Sequence, residues 1–128
     1  LDVELADGTA DAEYLELLER NLAYALARAR PDAVIYLAGA DPYAGDRLGF
    51  LKLSKAGLRQ RDQMVFDHCR RYSMPVAVTM AGGYAENVDD IVDIHLATIE
   101  CAAELANAGG WYPPVKPPRV FACSSILE

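Results

Sequence analysis

Residues 33–49, AVIYLAGADPYAGDRLG, constrain the fold more than any other stretch of the chain. Six apolar residues, Ala33 through Ala38, come first without polar alternation, the pattern of a strand buried on both faces as in a parallel sheet. The run breaks at Gly39 into a loop that holds Asp41 and Asp46. A buried strand that ends by presenting a carboxylate has the layout of a site in an open α/β sheet, where ligands sit beyond the C-terminal ends of the strands. Aspartate also closes turns by bonding its own backbone. Spacing alone therefore leaves Asp41 between a binding role and a turn role.

The rest of the chain supplies the partners such a strand needs. Residues 1–8 alternate weakly and read as a short edge strand or an extended lead-in. Thr9 is the expected cap of a first helix, with Asp11 and Glu13 near its positive end. Leu15, Leu18, Leu22 and Leu26 recur at helical spacing until Pro31 stops the run. Ser54 is the expected cap of a second helix whose stripe is Leu58, Val65, Cys69 and Tyr72. Arg59, Arg61, Asp62, Asp67 and Arg70 fall mostly on its wet face. After Pro75, residues 76–80 (VAVTM) read as a second buried strand that also ends in glycine, at Gly82-Gly83-Tyr84. Asn87 caps a third helix carrying Val88, Ile91, Val92, His95, Leu96 and Ile99 on its apolar stripe.

The order helix, strand, helix, strand, helix predicts an α/β domain over residues 1–106 with a mainly parallel sheet. A right-handed crossover would place Asp41 and Tyr84 on one rim. Residues 107–128 hold Pro113, Pro114, Pro117 and Pro118 and read as an extended tail. Two strands make a poor sheet, and an unblunted parallel edge invites pairing with another chain. A homodimer, or association with further sequence, is expected on that ground.

Composition excludes several classes. Lys plus Arg number 12 and Asp plus Glu 19, so the net charge is 12 − 19 = −7. No nucleic-acid or anionic-membrane partner is expected of such a chain, because both need positive surface. No apolar run approaches the roughly 20 residues of a membrane span. Cys69, Cys101 and Cys123 are odd in number and far apart, which argues against a disulfide framework and for a reducing, cytoplasmic setting. No stretch of the sequence reads as a signal peptide, and because it begins with Leu1 rather than Met, further sequence upstream is expected.

An ordered set of short motifs carries a further reading. Ala38-Gly39-Ala40-Asp41, Gly45-Asp46-Arg47-Leu48-Gly49, Leu51-Lys52-Leu53-Ser54, Gly57-Leu58, Arg61-Asp62 and Gly82-Gly83-Tyr84 resemble, in order and spacing, the C-terminal part of zinc-dependent deacetylases of the histone deacetylase superfamily. The flavour is closest to bacterial and class IV-like members, and the match runs from about Thr9 to Ile99. The resemblance implies a partial arginase/deacetylase-like fold and a zinc site that removes acyl groups, acetyl above all, from lysine-like amines. It implies that Asp41 is a zinc ligand and that Tyr84 donates to the oxyanion. Leu48 and Gly83 would line the acyl channel, and Asp46 would orient the loop. Ala81 departs from the glycine that many members carry there, which bears on pocket shape rather than chemistry. The chemistry suits these residue types: zinc makes hydroxide available near neutral pH, and one oxyanion donor is worth about 3 kcal/mol.

The same resemblance implies an Asp-x-His metal pair and a His-His pair, and neither is present as such. Asp93-Ile94-His95 has the spacing of the metal pair, but on a helix two residues apart point to nearly opposite sides. His95 is expected to be a core histidine with a hydrogen-bonded partner, and His68 a surface residue. As an isolated chain this sequence is expected to be inactive. The alternative is a catalytically incomplete remnant serving as a binding or assembly module.

Overall fold

The computed structural model describes residues 1–107; the expected tail and Cys123 lie outside the described residues. The elements run α1 (Asp11–Ala29), β1 (Val34–Ala38), α2 (Lys55–Arg71), β2 (Val76–Met80) and α3 (Val88–Asn107). The two strands pair in parallel, Val34 against Val76 through Ala38 against Met80. This is the expected α/β order with a parallel sheet. Residues 1–8 form no strand. Residues 7–8 make a turn, and Gly8 and Thr9 are tied to the β1–α2 loop by Gly8 N–H to the Phe50 carbonyl and Lys52 N–H to the Thr9 carbonyl, both 2.8 Å.

The helix starts follow local chemistry. Ser54 caps α2, its hydroxyl accepting from Gly57 N–H at 2.9 Å. That hydroxyl and the Ser54 N–H both donate to the Asp11 carboxylate, at 2.6 and 2.8 Å, so the first turn of α1 and the first turn of α2 share one carboxylate. Asn87 accepts from Asp89 N–H at 3.1 Å at the start of α3. At α1 the cap is Ala10 rather than Thr9, and no side chain closes it; Thr9 is buried instead. Arg30 in the left-handed region ends α1, one residue before Pro31.

Three burial expectations are corrected. The apolar run of β1 is covered on one face only. Tyr36 packs edge-on against Phe66 of α2 at 5.8 Å, whereas Ile35 and Leu37 on the opposite face are exposed, Leu37 at 62%. The stripe Val88, Val92, Leu96, Ile99 of α3 is likewise exposed. This helix is apolar on more than one side, and it packs on α2 with the face that holds Ile94, Thr98 and Cys101. His68 is buried, with Nδ1 3.0 Å from the Met64 carbonyl and Nε2 3.7 Å from Glu19 of α1. Its place between α1 and α2 removes it from the surface.

The small core of Ala40, Leu53, Leu58 and Ile94, flanked by Tyr14, Tyr43, Leu51 and Ile91, lies directly under the loops that leave the two strands. The loops are therefore set on packed side chains. Among the described residues no helix is long and apolar enough to cross a membrane.

Candidate functional site

The loops after β1 and β2 adjoin at the C-terminal end of the sheet. Ala40 N–H donates to the Gly82 carbonyl at 2.7 Å, joining the two loops just past the last strand pair. The Asp41 side chain is exposed beside this bond. A Cβ added at Gly82 would stand 3.1 Å from its Oδ1, and one at Gly49 would collide with the Asp41 carbonyl. Gly49 thus has a packing reason: any side chain there would push the Asp41 backbone away.

Asp46 locks the two loops together. It is 7% exposed. One carboxylate oxygen accepts from Leu48 N–H at 2.8 Å and Gly49 N–H at 2.7 Å; the other accepts from Tyr84 N–H at 2.5 Å. Burial alone would raise the Asp46 pKa. The N–H groups of Tyr84, Gly49 and Leu48, with Arg47 nearby, outweigh it and hold the carboxyl below the usual carboxylate range. Arg47 grips the other side of the same residue, its Nε 3.1 Å from the Tyr84 carbonyl. The Tyr84 backbone is therefore bracketed by consecutive residues of the opposite loop, while its side chain is left 54% exposed. Leu48 stands out from the same loop at 65%. At Gly83 a Cβ would come within 2.9 Å of the Ala40 side chain, so a larger residue would separate the loops.

Thus Asp41, Asp46, Leu48, Gly83 and Tyr84 fall on two adjoining loops. Asp93 and His95 do not join them. Asp93 pairs with Lys55 at 2.6 Å; His95 is half-buried, and its Nδ1 has no hydrogen-bond partner among the described residues, contrary to the expected one. Among the described residues no group of three or more His, Cys, Asp or Glu could hold a metal. Asp41 is a suitable oxygen donor for zinc, but a catalytic zinc takes three protein ligands. No such set of three is assembled among the described residues.

A second cluster lies beneath the loops, and two of its members, Arg61 and Asp62, are ones that sequence reading places mostly on the wet face of α2. Arg61 and Asp62 are 4% and 0% exposed. Arg61 Nε donates to Asp62 Oδ1 at 2.9 Å, and Nη1 donates to the Gly39 carbonyl at 2.7 Å. Tyr36 donates to the same Asp62 oxygen, and Thr98 donates to the other at 2.6 Å. Burial drives the Tyr36 phenol above its ordinary value, against the opposing pull of Arg61, so it remains a donor. The available signal was spacing: Arg61 and Asp62 sit three and four residues after Leu58 and four and three before Val65, within the apolar stripe.

The chain is similar to known proteins over most of its described length. The family model described as "Histone deacetylase domain" matches residues 1–99. An uncharacterised protein of Picosynechococcus sp. is 41% identical over 95 residues, 74% of this chain and 32% of that protein. Histone deacetylase 2 of Arabidopsis thaliana is 40% identical over 85 residues, 66% of this chain and 22% of that protein. Among solved structures, the crystal structure of the HDA15 HD domain superposes with a TM-score of 0.63 at 28% identity, covering 80% of this chain and 27% of that one. The histone deacetylase Clr3 gives 0.62 at 26%, covering 93% and 18%. The chain spans about a third or less of the length of the proteins it matches.

Proposed function

This chain belongs to the histone deacetylase domain family, and from that premise we propose that it supplies Asp41 and Tyr84 to a zinc-dependent amidohydrolase site that removes acyl groups from lysine-like amines. The observation that carries the reading is the lock at the strand ends. Asp46 and Arg47 hold the Tyr84 backbone against the loop that presents Asp41, and the phenol remains free. A phenol held this way donates to charge developing on a substrate carbonyl oxygen, and a fixed donor is worth more than one that must reorganise. Leu48 and Gly83 border the approach to it.

In this reading Asp41 is one ligand of a zinc site completed by groups outside residues 1–107. Zinc, when bound, supplies hydroxide near neutral pH and polarises the carbonyl. The bare sheet face at Ile35 and Leu37 and the outer face of α3 support association with further polypeptide or a second copy. The buried free thiols of Cys69 and Cys101 and the acidic charge support a cytoplasmic setting without nucleic-acid partners.

Metal content tests the division of the site. Residues 1–128 alone, dialysed against micromolar zinc, should carry well under one equivalent and show no amide hydrolysis above background. Stoichiometric zinc held by this chain would contradict the reading, because it would require ligands other than Asp41 within the segment.

A further inference from the structure

Arg61 and Asp62 take no part in the chemistry above, and stability does not account for them. Replacing a buried ion pair by apolar residues of similar volume is often neutral or stabilising. What the pair does have is a fixed target. Gly39 is buried, and its carbonyl accepts from Arg61 Nη1 at 2.7 Å. The N–H at the other end of that peptide, on Ala40, donates to the Gly82 carbonyl at 2.7 Å. One peptide unit is therefore gripped by the guanidinium from below and by the exit of β2 from the side. Asp41 follows it directly on one loop; Gly83 and Tyr84 follow Gly82 on the other.

The guanidinium is itself immobilised. Asp62 holds Nε, and Asp62 is held in turn by Tyr36 of β1 and Thr98 of α3. The Tyr36 ring centroid lies 5.8 Å from the Arg61 Cζ. The arrangement draws on β1, α2 and α3 and converges on one carbonyl. An arginine suits it because its planar fork spends one N–H on the carboxylate and another on the carbonyl; a lysine offers a point charge that satisfies either partner but not both in this geometry.

We propose that Arg61, oriented by Asp62, is a positioning residue that sets the Gly39–Ala40 peptide and, through it, the relative placement of the Asp41 and Tyr84 loops. The proposal rests on the reading that those two residues are functional. Its consequence is a separation of stability from turnover. In the protein that carries this segment, the double variant Arg61→Met/Asp62→Leu should still unfold cooperatively, with a melting temperature lowered only by the partners it strips from the Gly39 carbonyl and the Tyr36 hydroxyl. Its kcat should fall by about 10- to 100-fold, the scale of a small misplacement at a reacting centre, while KM stays within about threefold. The Ala40 amide should exchange faster with solvent, while amides in the middle of α2 and α3 stay protected.

Arg61→Lys, which keeps the charge and the carboxylate partner, decides the case if the double variant does not fold. It should show the same fall in kcat and the same faster Ala40 exchange. Wild-type kcat with unchanged Ala40 exchange in whichever variant folds overturns the proposal. Tyr84→Phe in the same assay separates the two claims. Full activity there refutes the reading of the site. A large loss there, with wild-type turnover in the Arg61 variants, refutes the positioning role alone.

Discussion

Asp46→Asn removes one charge and almost no volume, which isolates the lock between the two loops. Asp46 accepts three backbone N–H groups, at 2.8, 2.7 and 2.5 Å, inside a nearly closed pocket. An asparagine keeps one carbonyl oxygen for Leu48 and Gly49 and turns its amino group toward the Tyr84 N–H, donor against donor. The flipped amide saves the Tyr84 bond and faces the other two donors instead. Either way a charge-assisted bond is lost and a buried N–H is left without a partner, a cost of about 2–3 kcal/mol. For a chain of this size that lowers the melting temperature by roughly 6–15 °C.

The pH dependence gives the assay its sign. The folded Asp46 carboxyl lies below the usual range, and the unfolded value is about 3.9. The stabilisation is therefore present above about pH 4 and lost as pH falls through the folded value. Asparagine does not titrate. Thermal unfolding followed by circular dichroism should show the full gap between the two proteins at pH 7 and a closing gap below pH 4. Equal stability at pH 7, or a gap unchanged at the lowest pH at which both fold, would refute the lock as drawn.

Other outcomes follow from the same contacts. Thr98→Val leaves one oxygen of buried Asp62 without its donor and should destabilise the protein by about 1–3 kcal/mol, read by urea unfolding; no change would mean the Thr98 bond is not formed. Burial pushes the Cys69 thiol up to about 11, so peptide mapping after alkylation at pH 8 should find Cys69 unmodified in the folded protein and modified in urea. Prompt labelling without urea would contradict its burial. Sedimentation of residues 1–128 at low micromolar concentration should show association, weakened in Leu37→Lys or Leu96→Glu, because the bare sheet face and the outer face of α3 are apolar. A stable monomer would mean that these faces tolerate water.

Much of the fold was legible because it is local. The leucine spacing of α1, the Ser54 cap, Pro31, Pro75 and the two uninterrupted apolar runs each specify structure within a few residues. The strand-end loops were legible as a place, since glycine follows both runs. Two things were not local. Asp46 and Tyr84 are 38 residues apart, and nothing in either neighbourhood says that a carboxylate in one loop will accept the N–H of the other. The Arg61–Asp62 pair was misread because charged side chains on a helix are ordinarily solvated, and only partners on β1 and α3 make their burial tolerable. In α3 the pattern is apolar on more than one side, so sequence could not decide which face meets α2. The structure gives that place to Ile94, Thr98 and Cys101.

The central claim is that this chain contributes the oxyanion donor of a deacetylase site, and Tyr84→Phe tests it with the smallest possible change. In the protein that carries residues 1–128, hydrolysis of an N-acetyl-lysine peptide should fall by about 10²–10³ in kcat, the usual loss for one such donor, with zinc content and melting temperature unchanged. Wild-type turnover by the phenylalanine variant would contradict the account.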